Sequence, residues 1–259
     1  MSDAVLHEIV NAVAYVTINR PEVRNAIDTA TCQVLEDTLT TCTKDPTVRV
    51  IVIRGAGDRS FVSGADVREF RDKLGTVDGA IAYDEAVERM QQVIRTAPQP
   101  VIAAIQGHAI GNGCVLAVAC DFRIASQRAK FGIPIAKFGF FLGPPDTVRL
   151  AELIGEAQAR RLLMTGDVID AETARGIGLV DDIHEPDALD SAVTQFAEKL
   201  AANAPLSIKA TKQILARFVS RSPTIADGTA WYREIYASED LKEGINAFFD
   251  KRTPGFSGK

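Results

Sequence analysis

The sequence predicts an α/β chain whose first part carries a sheet and whose last third is rich in helix. Three observations carry this. Short β-branched runs at 48–54 and 101–105 alternate with helical patterns at 29–44 and 78–96, the alternation of a sheet with at least some parallel strands. Beyond about residue 150 the pattern becomes mostly helical. Finally, two glycine-rich turns each follow apolar, β-rich sequence: Ser63-Gly64-Ala65-Asp66, and Gly107-His108-Ala109-Ile110-Gly111-Asn112-Gly113. The second runs directly into the small, apolar stretch 114–120.

In chain order, residues 5–10 and 13–19 alternate as two strands around a tight turn at Asn11-Ala12. Asp28 has the chemistry of an N-cap for a helix to about Lys44, which Asp45-Pro46 stops. The run 48–54 ends in Gly55-Ala56-Gly57, a buried strand and its turn. Pro98 and Pro100 close the helix at 78–96, and strands follow at 101–105 and 122–125. Helices are expected at 156–165, 170–176, 187–202, 205–219, 223–237 and 239–250, with one short strand at 179–183 and a loose tail at 255–259. There is no internal repeat and no low-complexity segment.

The 259 residues suffice for a full core, and 46% apolar with 24% charged residues is ordinary globular composition. A net charge of −5 argues against general nucleic-acid binding, while leaving room for an anionic ligand held by local Arg and Lys. The first eight residues are short and mixed, with no apolar run behind them, so no secretory signal is expected. No stretch is apolar for long enough to suggest a membrane span. Cys32, Cys42, Cys114 and Cys120 form no C-x-x-C pair, so a reduced, cytoplasmic setting is expected. His7, His108 and His184 are scattered, which gives a zinc site poor support.

Two glycine-rich turns can aim two backbone N–H groups at one carbonyl oxygen, an oxyanion hole suited to thioester chemistry. Asn112 lies where a helix N-terminus leaves donors unpaired, and Ala65 follows Gly64 in the same manner. For either turn alone an ordinary strand-to-helix connection is an equal reading; the pair favours function. The spacing G-x-x-x-G-x-G is not the dinucleotide fingerprint. Ser63 lacks the G-x-S-x-G setting of a nucleophile and reads as a turn hydroxyl.

The chain resembles the crotonase family, the enoyl-CoA hydratase and isomerase relatives. The resemblance rests on Asn19-Arg20-Pro21-Glu22-Val23-Arg24-Asn25-Ala26, Phe61-Val62-Ser63-Gly64-Ala65-Asp66-Val67, residues 107–121 and Phe131-Gly132-Ile133-Pro134. Leu163-Met164-Thr165-Gly166-Asp167, residues 174–180, Glu243-Gly244 and Lys251-Arg252 extend it over nearly the whole chain. It implies a spiral of ββα units over 1–200 holding the acyl-CoA site, and a helical region over 201–259 that builds homotrimers, often paired as hexamers. It further implies that Ala65 and Asn112 supply the oxyanion N–H groups. Coenzyme A, part of the substrate rather than a separate cofactor, would lie near Arg24, Ala26, Ser63, Gly64, Asp66 and Val67, and near Lys251 and Arg252 from a subunit tail. The acyl group would meet Gly111, Gly113, Val115, Pro134, Ile135 and Gly143. Neither metal, nucleic acid nor membrane is implied.

The hydratases of this family use two glutamates. At the matching positions this chain has Val115 and Ile135, which can neither take a proton nor orient water, and Asn112 replaces a glycine. Ordinary hydratase activity is therefore not expected. Decarboxylation of a malonyl-type thioester needs the least proton transfer. Isomerisation through a relocated acid, thioester hydrolysis and non-catalytic acyl-CoA binding are the alternatives. Asp146 is the low-ranked acid candidate, with the N-cap of the following helix as its plainer role. Glu69 faces the pocket or pairs with Arg68 or Arg71; His108 is either a group that titrates near neutrality or a strand-end side chain pointing away from the ligand; Lys137 either meets a carboxylate substrate or is a solvated lysine.

Overall fold

The computed structural model describes residues 4–66, 68–69, 77–218, 233–234 and 237–259. Val67 and most of the helix expected at 223–237 lie outside these. β1 (Val5–Val10) and β2 (Val13–Ile18) form an antiparallel hairpin. Its turn residues Asn11 and Ala12 both have positive φ, 50° and 65°, which matches the right-handed twist of the strands. α1 (Thr29–Lys44) is capped by Asp28, whose carboxylate accepts from Thr31 N at 2.7 Å, a contact worth about 1 kcal/mol.

β3 (Val50–Gly55), β4 (Ser60–Val62) and α2 (Val77–Thr96) make one ββα unit; β5 (Val101–Ile105), β6 (His108–Ile110) and α3 (Asn112–Ala119) make the next. β7 (Phe122–Ser126) and β8 (Lys130–Gly132) lead into α4 (Pro144–Ile154), then α5 (Glu156–Thr165), β9 (Val168–Asp170), α6 (Ala171–Gly176) and β10 (Asp182–His184). α7 (Leu189–Ala201), α8 (Pro205–Phe218) and α9 (Glu239–Asp250) form the helical C-terminal region.

The chain alternates between two sheets. One has the order β1-β2-β3-β5-β7-β10 and the other β4-β6-β8-β9. From β2 to β10 the larger sheet is parallel, as are β4, β6 and β8 in the smaller. This alternation is the expected spiral of ββα units. β3 is buried on both faces: Ile51 and Ile53 enter the main core with α1 and α2, while Val50 and Val52 pack on the opposite side under α7. That explains the continuous apolar run in its sequence.

Two expectations are corrected, and one sheet was not foreseen strand by strand. The smaller sheet escapes the sequence pattern because its strands are three residues long, too short to show a period. The strand expected at 179–183 begins only at Asp182; Leu179 and Val180 are instead buried in the connection before it. The tail is held rather than loose. Asp240 accepts from Ser257 N at 2.6 Å and Gly258 N at 2.9 Å, and Arg49 donates to the Phe256 carbonyl at 2.6 Å. No helix among the described residues is long and apolar enough to cross a membrane.

Candidate functional site

Parallel pairing of β4 with β6 puts both glycine-rich turns at the same end of the smaller sheet, beyond the C-termini of the two strands. There they touch: a Cβ on Gly111 would lie 3.6 Å from Gly64 Cα. Gly64 has φ of +121°, a conformation closed to other residues without strain. Gly113 is required by proximity, since a Cβ there would sit 2.0 Å from the Val62 carbonyl oxygen.

The first turn is held from below by Ile27. Ile27 N donates to Gly64 O at 2.9 Å and Asp66 N donates to Ile27 O at 3.0 Å, so the bridge skips the N–H of Ala65 between them. In the second turn Gly111 N donates to Gly132 O at 2.8 Å, and Asn112 opens α3. Among the described residues neither Ala65 N–H nor Asn112 N–H has a hydrogen-bond partner. Both residues line one cavity of about 120 Å³.

The rest of that wall comes from α2, through Ala80, Tyr83, Asp84 and Val87, and from Ile135 and the stretch 140–143, with Asp146 of α4 closing it. Asp146 does not cap its helix; Gly143 stands at the N-cap position. Its side chain is only 16% exposed and accepts from Arg149 Nη1 at 2.6 Å. Burial pushes the Asp146 carboxyl up to about 6; nearby Glu88 adds to this and Arg149 opposes it. Arg149 also donates to both oxygens of Glu88 at 2.9 Å and to Gln91 Oε1 at 2.6 Å. Burial raises the Glu88 carboxyl too, but Arg95 and Arg149 outweigh it and hold Glu88 below its usual range. Asp84, also on the cavity wall, is pushed up by burial.

Of the remaining sequence-derived candidates, Ile135 and Gly143 stand on the cavity wall. Val115 is 3% exposed within the main core rather than on that wall. Gly111 and Gly113 shape the second turn, and Pro134 starts a short 3-10 turn beside Gly166. Asn25 and Ala26 are buried, with Asn25 Nδ2 bonded to the carbonyls of Ala56 at 3.0 Å and Ser60 at 2.8 Å. Arg24 is exposed beside them. Ser63 Oγ faces the Val23 carbonyl at 3.4 Å.

Asp66 is buried, and its carboxylate is taken up by Arg20 at 2.9 Å and Arg68 at 2.5 Å; the Arg68 hydrogen bonds hold it well below the usual carboxylate range. Its evident role is to fix the turn. Glu69 accepts from Thr29 N at 2.9 Å and supports the start of α1; Arg71, one of its two expected partners, lies outside the described residues. His108 is exposed, its ring against the Arg59 carbonyl at 3.0 Å. Lys137 is exposed along Gly166. In the tail Lys251 is exposed, while Arg252 is clamped on both oxygens of Glu243 at 2.6 and 2.9 Å. A larger cleft of about 340 Å³, where the tail meets α1 and α8, contains none of these candidates.

Sequence reasoning missed Tyr83, Asp84, Glu88, Gln91 and Arg149. One signal was present: Asp84 and Glu88 lie one turn apart on the predicted helix.

A family model described as enoyl-CoA hydratase/isomerase matches residues 8–259. An (E)-benzylidenesuccinyl-CoA hydratase from Thauera aromatica is 37% identical over 257 residues, 97% of this chain and 98% of its own. A 2,3-dehydroadipyl-CoA hydratase from Escherichia coli is 35% identical over 251 residues, covering 95% and 96%. An enoyl-CoA hydratase/carnithine racemase structure from Magnetospirillum magneticum superposes with a TM-score of 0.96 at 34% identity, over 100% of this chain and 97% of that one.

Proposed function

The chain belongs to the enoyl-CoA hydratase/isomerase family, and we propose that within it this protein shifts the double bond of an unsaturated acyl-CoA through a thioester enolate. Ala65 N–H and Asn112 N–H receive the thioester oxygen. The Asp146 carboxylate removes a proton from the carbon beside the carbonyl of a β,γ-unsaturated thioester. The electron pair delocalises onto the oxygen, and the same carboxyl returns the proton at the γ-carbon. The α,β-unsaturated isomer results, with no net change in atoms or charge.

The observation that carries this reading is the buried Asp146 in the same cavity as two unpaired N–H groups. A carboxyl held at about 6 is present in both protonation states near neutrality, which suits a group that must take and return one proton. Decarboxylation needs no such base, and the Asp146 charge would repel the carboxylate to be lost. A protein that only bound acyl-CoA would gain nothing from a carboxyl that burial makes costly. The coenzyme A moiety would run past Arg24, Ala26 and 63–67 at the first turn, with Lys251 and Arg252 meeting it from the tail. The protein would act in the cytoplasm as a trimer or pair of trimers.

Hydration is a second reading, favoured by the hydratase names of the relatives and by Asp84, a second carboxyl on the cavity. Both are tested by incubation in heavy water with β,γ-hexenoyl-CoA and, separately, crotonyl-CoA, followed by mass spectrometry. Conversion of the β,γ- to the α,β-isomer, resolved by chromatography before mass analysis, with little hydrated crotonyl-CoA is expected. Rapid addition of water to crotonyl-CoA with no change in the β,γ-isomer would overturn the isomerase reading in favour of hydration.

A further inference from the structure

We propose that Tyr83 is a positioning residue: with the Asn112 side chain it forms a hydrogen-bonded brace that fixes the spacing between the two turns. The inference rests on the oxyanion reading above and assigns a role to side chains that neither donate to the thioester oxygen nor carry the proton in that reading.

Tyr83 projects from α2, is 4% exposed, and donates its hydroxyl hydrogen to the Ile27 carbonyl at 3.0 Å. A carbonyl can only accept, so this bond sets the direction of the others. The phenol oxygen is left to accept, and Asn112 Nδ2 donates to it at 2.6 Å. The Asn112 amide is thereby oriented with its nitrogen toward Tyr83. Ile27 in turn holds the first turn on both sides of Ala65, through Gly64 O at 2.9 Å and Asp66 N at 3.0 Å. A continuous path therefore runs from Asn112, the residue of one unpaired N–H, through Tyr83 and Ile27, to Gly64 and Asp66 on either side of Ala65, the residue of the other.

Beyond the β4–β6 pairing that leads into them, the turns meet at Gly64 and Gly111, which carry no side chain to resist sliding. Donors serve an oxyanion only when held to about half an ångström. Burial keeps the phenol proton well above its usual pKa, so the donor to Ile27 stays in place across the working pH range. Phenylalanine would fill the same space, so packing alone does not account for a hydroxyl with two satisfied bonds.

Tyr83→Phe, Asn112→Gly and the double variant would be compared with wild type on β,γ-hexenoyl-CoA. Asn112→Gly keeps the backbone N–H and leaves Tyr83 packing intact, and thermal melting checks each fold. Each single change is expected to lower kcat by about 5–10-fold with KM within about twofold. The double variant should be no slower than the slower single one. Multiplicative losses, a change in KM alone, or an unchanged kcat would overturn the brace.

A readout independent of turnover is the red shift of a conjugated hexadienoyl-CoA bound to Asp146→Asn protein, since polarising the thioester carbonyl moves its absorption. Loss of the shift on adding Tyr83→Phe supports the brace even if no thioester is isomerised, in which case only the isomerase reading fails. A shift that persists overturns the brace, and a shift absent from every variant overturns both.

Discussion

Replacing Asp146 by Asn should make the protein more stable and nearly inactive, and the two effects have one cause. The carboxyl titrates at about 6 in the folded chain against an ordinary value of 3.8. A folded pKa above the unfolded one means the native state holds the proton more tightly. The ionised carboxylate is thus a burden on folding that sets in as pH rises past 3.8 and is complete above about 6. At about 1.4 kcal/mol per tenfold, the full burden is about 3 kcal/mol. The substituted amide cannot ionise, and its oxygen can still accept from Arg149. Arg149 also keeps Glu88 at 2.9 Å and Gln91 at 2.6 Å, so the cation is not orphaned. Urea unfolding should show Asp146→Asn more stable by about 3 kcal/mol near pH 7.5 and by about half that near pH 5. Turnover of β,γ-hexenoyl-CoA should fall by about 10²–10⁴-fold. A stability gain independent of pH, or turnover close to wild type, would refute the reasoning.

Gly113→Ala would place a Cβ 2.0 Å from the Val62 carbonyl oxygen, so α3 must move from β4 by about 1 Å. A stability loss of about 1–3 kcal/mol in urea and about 10²-fold lower kcat are expected, and a wild-type rate would contradict the placement of Asn112. Glu88→Gln removes a negative charge that raises Asp146 and frees Arg149 to serve it. Both effects move the acid limb of the kcat/KM profile to lower pH, and an upward shift would show that Glu88 does not set the Asp146 proton.

Much of the fold was legible because its cues are local. Asp28 caps α1, the hairpin turns at Asn11-Ala12, and the β-branched runs become central strands. The motif around Arg20 and Asn25 was legible as a pattern but not as a cause. Its conspicuous residues brace the loop, with Arg20 on Asp28 and Asp66 and Asn25 on two carbonyls, while Arg24 stands at the surface. Asp146 was visible as an acid candidate, but a proline-flanked aspartate reads more plainly as a helix cap, and the burial that sets it apart is not written in its neighbours. Val115 followed the resemblance onto the acyl wall, yet the turn of α3 carries it into the core.

By itself, the sequence determined the longer helices and the central strands, the two glycine-rich turns and the absence of acids at positions 115 and 135, since each depends on a residue and its near neighbours. Tertiary structure decided which acid meets the cavity, how readily it gives up its proton, and what holds the turns together. Asn112 and Tyr83 are 29 residues apart, Tyr83 and Ile27 are 56 apart, and Glu88 and Arg149 are 61 apart. Burial and charge act through space, so these effects exist only once the spiral has brought distant segments to one end of the sheet.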